Sequence, residues 1–207
     1  MASAQKEPVA ADDRFIEKLR AGDKHAFRAL VDRYQNPVYN LAFKILWNRE
    51  DAEDVLQETF LKIIKNISGF RGESSLTTWV YKIATNNALM KLRERTSKQG
   101  KLSELQEIDA RDIAPTHLTP ETTDPFDDLL KTESTEILQH AIEQLPEHYR
   151  GAFVLKDVEQ MTTDEVAYIL GIGHEALYSR LKRARMFLRE AILAAYREKK
   201  EHAHAVS

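Results

Sequence analysis

Residues 162–189, TTDEVAYILGIGHEALYSRLKRARMFLR, decide how the fold of this chain is read. The pattern predicts a helix, a turn in which Gly171 adopts a left-handed conformation, and a second helix. From Tyr178 to Arg189 the second helix carries five basic residues and no acidic one. Such a pair of helices outlines a helix-turn-helix, whose second helix enters the major groove of DNA. The stretch therefore predicts duplex DNA as a partner, and a solvated basic helix is the alternative.

The composition of the whole chain fits an all-helical globular protein. Of its 207 residues, 43% are hydrophobic and 30% are charged, while glycine (7) and proline (6) are scarce. No apolar run approaches the roughly 20 residues of a membrane span, and the N-terminus lacks the apolar core of a signal peptide. The absence of cysteine excludes disulfides and thiolate metal sites. We therefore expect a cytoplasmic protein without direct membrane insertion.

The charge is unevenly distributed along the chain. The net charge is −3, although most nucleic-acid-binding proteins carry a basic footprint. The basic residues concentrate in 82–101 and 180–200, and acidic residues outnumber basic ones between them. A weakly acidic chain with two basic helices suggests a protein that binds DNA poorly alone and needs a larger partner.

The segment 97–132 predicts a flexible acidic linker between two helical domains. It contains Pro115, Pro120 and Pro125, half of the prolines, and has no sustained apolar period. A long functional loop within one domain is the alternative, but loops of this length are uncommon in compact domains. The expected organisation is a disordered N-terminus over 1–11, a domain over 12–96, the linker over 97–132, a domain over 133–197 and a flexible tail over 198–207.

The N-terminal half divides into helices at recognisable caps. A short helix is predicted over 12–21, and Asp23 is placed to cap a second helix that begins at Lys24. Asn36 followed by Pro37 resembles an N-cap with a first-turn proline, so we expect this helix to break or kink there. Ser74 or Ser75 is expected to cap a long helix over 76–95, with Val80, Ile83, Asn87 and Met90 at helical spacing.

The helix predicted over 51–67 has two distinct faces. Its apolar stripe follows steps of four and three through Ala52, Leu56, Phe60, Ile63 and Ile67. Its acidic residues lie on another face in the first two turns, where they complement the helix dipole.

The C-terminal half predicts two amphipathic helices over 132–145 and 147–159, divided by Pro146. The helix-turn-helix follows, with Thr162 or Thr163 as the first N-cap and Glu165 completing a partial capping box.

Four motifs, in this order, resemble the bacterial extracytoplasmic-function (ECF) RNA polymerase sigma factors. They are DAEDVLQETF (51–60), GFRGESSLTTW (69–79), WVYKIATNNALMKLR (79–93) and LYSRLKRAR (177–185). The resemblance covers about 12–96, the family's region 2, and 133–196, its region 4. It implies an all-α fold in which a region 2-like bundle and a region 4-like helix-turn-helix are joined by the acidic linker. The implied function is promoter-specific transcription initiation, without enzymatic activity.

The resemblance also implies a polymerase-binding face and a −10 site. The polymerase-binding residues would be Asp51, Asp54, Gln57 and Glu58, although a solvated helix face is the more usual role of such a cluster. The −10 residues would be Phe70, Arg71, Ser74, Trp79, Lys82 and Asn86. In the family, an aromatic residue at the position of Trp79 stacks beside the melted −10 element, the loop 70–75 captures a flipped base, and Asn86 reads a base edge. A core position is the alternative for Trp79.

The −35 site implied by the resemblance lies on the second helix of the helix-turn-helix. Its residues would be Tyr178, Ser179, Arg180, Lys182, Arg183 and Arg185. A bidentate contact from Arg183 to guanine would discriminate by roughly 1–3 kcal/mol. The chain departs from the family at Leu76, Thr85, Met90, His174 and Glu175, which leaves the exact promoter sequence open.

The resemblance implies three partners: core RNA polymerase through its β′ clamp helices and β flap, promoter DNA, and an anti-sigma factor. A stand-alone helix-turn-helix repressor is the second hypothesis, but it needs a dimer for which no heptad seam is visible. An enzyme is the third, and no phosphate loop, Ser/His/Asp set or paired-carboxylate pocket supports it. We predict no cofactor and no structural metal, since the seven histidines are scattered apart from His202 and His204.

Overall fold

The computed structural model describes the backbone of residues 9–98 and 135–205, and the side chains of 13–97 and 137–197. Within these ranges the chain forms eight α-helices and no β-strand, which confirms the all-α prediction. The first four are α1 (Val9–Arg20), α2 (Lys24–Leu46), α3 (Arg49–Asn66) and α4 (Leu76–Lys98). The second four are α5 (Thr135–Gln144), α6 (Glu147–Phe153), α7 (Thr163–Leu170) and α8 (His174–Ala205).

The described residues include parts of the three segments predicted to lie outside the two domains. Helix α1 begins at Val9, inside the segment 1–11 that was predicted to be disordered. Most of the linker predicted over 97–132 lies outside the described residues, although α4 continues to Lys98. The tail predicted over 198–207 has a helical backbone as far as Ala205, since its Lys, Glu and Ala residues are good helix formers. The side chains of His202 and His204 lie outside the described residues.

In the first group, α2 packs along α3, and α1 packs on α2 and on the 3₁₀ turn Ile67–Gly69. The predicted cap at Asp23 is confirmed, because its carboxylate accepts hydrogen bonds from the backbone N–H groups of His25 (2.7 Å) and Ala26 (3.2 Å). The backbone N–H groups of Ala26 and His25 lower the pKa of Asp23 below its ordinary value. Asn48, which the sequence analysis missed, caps α3 by accepting from the backbone N–H of Asp51 at 2.9 Å.

Of the break or kink predicted at Pro37, the break is wrong, since α2 is one helix that runs through this residue. A proline inside a helix removes a hydrogen bond and costs about 3 kcal/mol. The buried stripe of α2 offsets this cost, because it continues on both sides of Pro37, with Tyr34 before it and Val38 and Leu41 after it. Burial, rather than local propensity, keeps the helix continuous.

The apolar stripe predicted on α3 is wrong at two positions. The structure buries Ala52, Val55, Thr59 and Ile63, whereas Leu56 and Phe60 are half-exposed. A fully buried threonine stands in the middle of the stripe, so the buried face could not be recognised from apolar residues alone. Ile67, in the 3₁₀ turn, is buried as predicted.

Helix α4 begins at a serine cap and buries a broad face. Ser75, rather than Ser74, is the N-cap residue, since its Oγ accepts from the backbone N–H of Thr78 at 3.0 Å. The buried apolar residues of α4 are Leu76, Val80, Ala84, Ala88 and Leu92. Of the residues predicted on its stripe, Ile83 is half-buried and Met90 is 45% exposed.

In the second group, α8 packs on α5 and α6, and Pro146 separates those two helices as predicted. Arg150 of α6 is only 4% exposed. Its Nη2 donates to the carbonyl oxygens of Glu143 and, at 3.0 Å, of Leu145, so it closes the C-terminal end of α5. The helix predicted over 147–159 changes after Phe153 to a π-helical turn, Val154–Val158.

The helix-turn-helix forms from α7 and α8. Thr162 and Glu165 make a complete capping box: the threonine Oγ1 accepts from the Glu165 backbone N–H at 3.3 Å, and the carboxylate accepts from the Thr162 N–H at 2.9 Å. Gly171, at φ +64°, ends α7 in the predicted left-handed conformation. None of the described helices has the length and apolar character of a membrane span.

Candidate nucleic-acid interface

The residues predicted to bind polymerase lie together on α3. Asp54, Gln57 and Glu58 are exposed and follow the i, i+3, i+4 spacing of one helix face, while Asp51 is half-buried at its edge. The same face continues through two apolar residues that the sequence analysis missed, Leu61 (56% exposed) and Ile64 (50% exposed). Asp54, Gln57, Glu58, Leu61 and Ile64 are called the α3 face below.

The loop 70–75 is anchored at Phe70 and exposed in its middle. The Phe70 carbonyl oxygen accepts from the Arg20 guanidinium, and the Phe70 backbone N–H donates to the Ile67 carbonyl at 3.2 Å. Phe70 is only 4% exposed, so its ring supports the loop from below and does not form its surface. Arg71 and Gly72 are exposed, and Ser74 is half-exposed. Of the predicted −10 residues in this loop, Arg71 and Ser74 are therefore accessible.

Trp79 lies at the boundary of the buried face of α4. It is half-buried, and its ring contacts the ring of Phe70 with a centroid separation of 5.1 Å. The half-exposed Lys82 and the exposed Asn86 follow at helical spacing on the same side. Helix α4 therefore presents a tryptophan, a lysine and an asparagine along one face, directly after the loop.

The residues predicted to contact the −35 element do not share one face of α8. Leu177, Leu181 and Leu188 are buried and form the inner face of α8. Tyr178 is 59% exposed, and Ser179 and Lys182 are also exposed. At about 100° per residue, Arg180 and Arg185 lie about 140° apart around the helix, on opposite flanks of this exposed face.

Two arginines of α8 have partners within the second group of helices. Arg183 Nη1 donates to the Tyr149 hydroxyl at 3.0 Å. Arg185 makes a bidentate pair with Asp157 in the π-helical turn, with Nε–Oδ2 and Nη2–Oδ1 distances of 3.0 and 2.7 Å. These contacts are not evident from the sequence, because the partners lie 34 and 28 residues away. Both arginines thus also hold α8 in place.

Comparisons with known proteins match both groups of helices. Residues 30–98 match the family Sigma-70 region 2, and residues 135–188 match Sigma-70, region 4. The ECF RNA polymerase sigma-E factor of Haemophilus influenzae is 35% identical over 185 residues, which span 87% of this chain and 95% of that protein. The chain belongs to the ECF sigma factors of bacterial RNA polymerase. The RNA polymerase sigma-H factor of Pseudomonas aeruginosa is 30% identical over 90% of this chain and 96% of its own length.

Two solved structures share the fold of this sigma factor. CnrH, in complex with the cytosolic domain of CnrY, has a TM-score of 0.60 at 21% identity and covers 89% of this chain and 98% of its own. The sigma factor RpoE of Bartonella quintana, in complex with the anti-sigma factor NepR, has a TM-score of 0.56 at 22% identity and covers 80% and 96%.

Family membership confirms the function that the motifs implied. This sigma factor binds core RNA polymerase and directs promoter-specific transcription initiation through −35 and −10 elements.

The described parts of the chain contain no group of three or more histidine and acidic side chains placed to hold a metal ion.

Proposed function

We propose that this sigma factor reads its promoter with two separate surfaces, while the α3 face binds core polymerase. The observation that carries the proposal is the single face of α4 on which Trp79, Lys82 and Asn86 follow the anchored loop 70–75. In this arrangement Trp79 stacks on the exposed edge of the melted −10 element, Asn86 reads a base, and Lys82 neutralises a phosphate. Arg71 and Ser74 line the path of a flipped base.

The −35 surface is the exposed side of α8. Tyr178, Ser179 and Lys182 are exposed and would meet the groove and its phosphates. Arg183 and Arg185 reach the DNA edge while they pair with Tyr149 and Asp157, so their guanidinium groups are already oriented before DNA arrives. Arg180 contributes from the opposite flank, at the phosphate backbone.

Polymerase docking would use an element from each group of helices. On the α3 face, carboxylates beside Leu61 and Ile64 suit the basic and apolar surface of the β′ clamp helices. Between α5 and α8, a groove of about 190 Å³ is largely apolar and suits the β flap. It is lined by Ile137, His140, Ala141, Gln144, Ala191 and Ala195.

The remaining parts of the proposal concern organisation and control. The two DNA-reading domains would span 12–96 and 133–197, with 97–132 as the tether that raises the effective concentration of one domain beside the other. An anti-sigma factor would control this protein by occluding both domains; RpoE of Bartonella quintana is in complex with an anti-sigma factor, NepR. The protein would act in the cytoplasm, and its assistance in promoter opening would use binding energy rather than bond chemistry.

The test is transcription from a promoter library with randomised −35 and −10 hexamers, using purified core polymerase with and without the protein. We expect transcripts that require both components and that select defined sequences in both hexamers. Selection in the −35 hexamer alone would remove the proposed role of α4 and the loop 70–75. Sequence-specific DNA binding without any polymerase-dependent transcript would favour the repressor hypothesis.

A further inference from the structure

A buried polar bridge connects α3 and α4. Asn87 is 2% exposed, and its Nδ2 donates to the Oγ1 of Thr59, itself fully buried, at 3.1 Å. The Asn87 Oδ1 accepts from the Nζ of Lys62. The sequence had placed Asn87 on the inner stripe of α4 without a partner. The structure supplies two partners, both from α3.

The hydrogen bonds of this bridge depend on the orientation of the two helices, whereas the apolar contacts around it do not. The other residues on this side of α4, such as Val80, Ala84 and Ala88, are small and apolar, and apolar contacts tolerate small rotations of a helix. A buried amide that loses its partners carries the full cost of its desolvation. Asn87 therefore favours the one rotation of α4 in which its amide meets Thr59 and Lys62.

The rotation of α4 determines where its outer face points. Asn86, the residue next to Asn87, is exposed on the side that also carries Trp79 and Lys82. An error of about 20° in the setting of α4 would move a side-chain amide at its periphery by about 2 Å. Base reading by hydrogen bonds tolerates only about 0.5 Å.

We propose that Asn87 is a positioning residue for −10 recognition. Together with Thr59 and Lys62, it fixes the rotation of α4 on α3 so that Asn86 meets its base. The same bridge lies behind the α3 face, because Glu58 and Leu61 adjoin Thr59 and Lys62 in sequence. Helix α3, which binds polymerase, thus fixes the rotation of α4, which reads DNA. The inference rests on the proposed reading of the −10 element by α4.

The test compares four variants of the full chain in holoenzyme. The double variant Thr59→Val with Asn87→Leu replaces the bridge by apolar groups of similar size, which is often nearly neutral for stability. Asn87→Asp keeps the acceptor for Lys62 and replaces the amide donor by a second carboxylate oxygen, to which the Thr59 hydroxyl can donate in turn. Asn86→Ala removes the proposed reader, and Ile63→Val is the control for a small loss of packing in α3.

The readout is the ratio of open-complex formation on the preferred −10 element to that on single-base variants, beside core affinity and thermal stability. We expect the double variant and Asn86→Ala each to lose about tenfold in this ratio at the same base, with core affinity unchanged within twofold. Asn87→Asp and Ile63→Val should retain the ratio.

The outcomes separate this inference from the proposed function. A loss in Asn86→Ala alone would overturn the positioning role and leave the bridge a stabilising contact. A loss in the double variant alone would support the positioning of α4 and remove Asn86 as the reader. No loss in either variant would overturn both the inference and the proposed −10 reading. If Ile63→Val lowered this ratio as well, the inference would also be overturned, because a small loss of packing would then explain the effect of the double variant.

Discussion

Arg150 gives a quantitative test of how the second group of helices is held together. We expect Arg150→Met to destabilise this group, because methionine fits the apolar part of the site but has no donor for the carbonyl oxygens of Glu143 and Leu145. Helix α8 packs on both helices that Arg150 connects. Loss of this connection should therefore loosen the support of the DNA-reading helix.

The loss in the free energy of unfolding that we expect for Arg150→Met follows from two opposing contributions. A hydrogen bond from a charged donor contributes about 1.5–3 kcal/mol, so the two bonds contribute about 3–6 kcal/mol. The pKa of Arg150 is lowered from its ordinary value of 12.5 to about 10, and burial is the largest cause. At about 1.4 kcal/mol per pH unit, the environment of Arg150 disfavours its charged form by about 3 kcal/mol, a cost that methionine does not incur. The difference is about 0–3 kcal/mol, and we expect about 1.5 kcal/mol.

The assay is hydrogen–deuterium exchange of peptides covering residues 137–145, together with thermal unfolding. A loss of about 1.5 kcal/mol lowers the melting temperature of a unit of this size by about 6–12 °C. Tryptophan fluorescence is an internal control, since both tryptophans, Trp47 and Trp79, lie in the first group of helices. The exposed Arg197→Met is the matched variant. Unchanged exchange in Arg150→Met, or equal change in both variants, would refute the reasoning.

Three further predictions concern the caps and the two binding surfaces. The folded state lowers the pKa of Asp23 below 3.8, so the stabilisation from ionised Asp23 is complete above pH 3.8 and is lost as the pH falls through the folded-state pKa. Asp23→Ala should therefore flatten the acid dependence of the melting temperature. An acid dependence equal to that of the wild type would contradict this prediction. Replacing Asp54 and Gln57 by Ala should weaken core polymerase binding by calorimetry without changing the melting temperature, and unchanged binding would remove the docking assignment. Lys182→Ala should reduce the slope of log K against log salt for promoter binding by about one, whereas a slope equal to that of the wild type would exclude a phosphate contact.

The features predicted correctly are those that local chemistry determines. Asp23, Thr162 and Gly171 act within three or four residues of their own position, so their roles follow from the residue type and its neighbours in sequence. The motif order likewise identified both domains of the family.

The features that were missed depend on contacts between distant segments. The burial of Thr59 was missed because a polar residue in isolation predicts an exposed position. The hydrogen bond between Asn87 and Thr59 joins residues 28 positions apart, so the sequence placed Asn87 on the inner stripe without its partner. The same holds for Arg183 and Arg185, whose partners come from α6 and the π-helical turn. The continuous helix through Pro37 shows the opposite case, in which a strong local signal is overridden by burial on both sides.

Leu61 and Ile64 affect how binding through the α3 face depends on the salt concentration. Salt screens exposed carboxylates over a Debye length of about 8 Å at physiological ionic strength, so a purely acidic face would release a basic partner as the salt concentration rises. Burial of two half-exposed aliphatic side chains does not weaken in this way. Association through this face should therefore persist through an osmotic upshift, when ionic contacts to DNA are at their weakest.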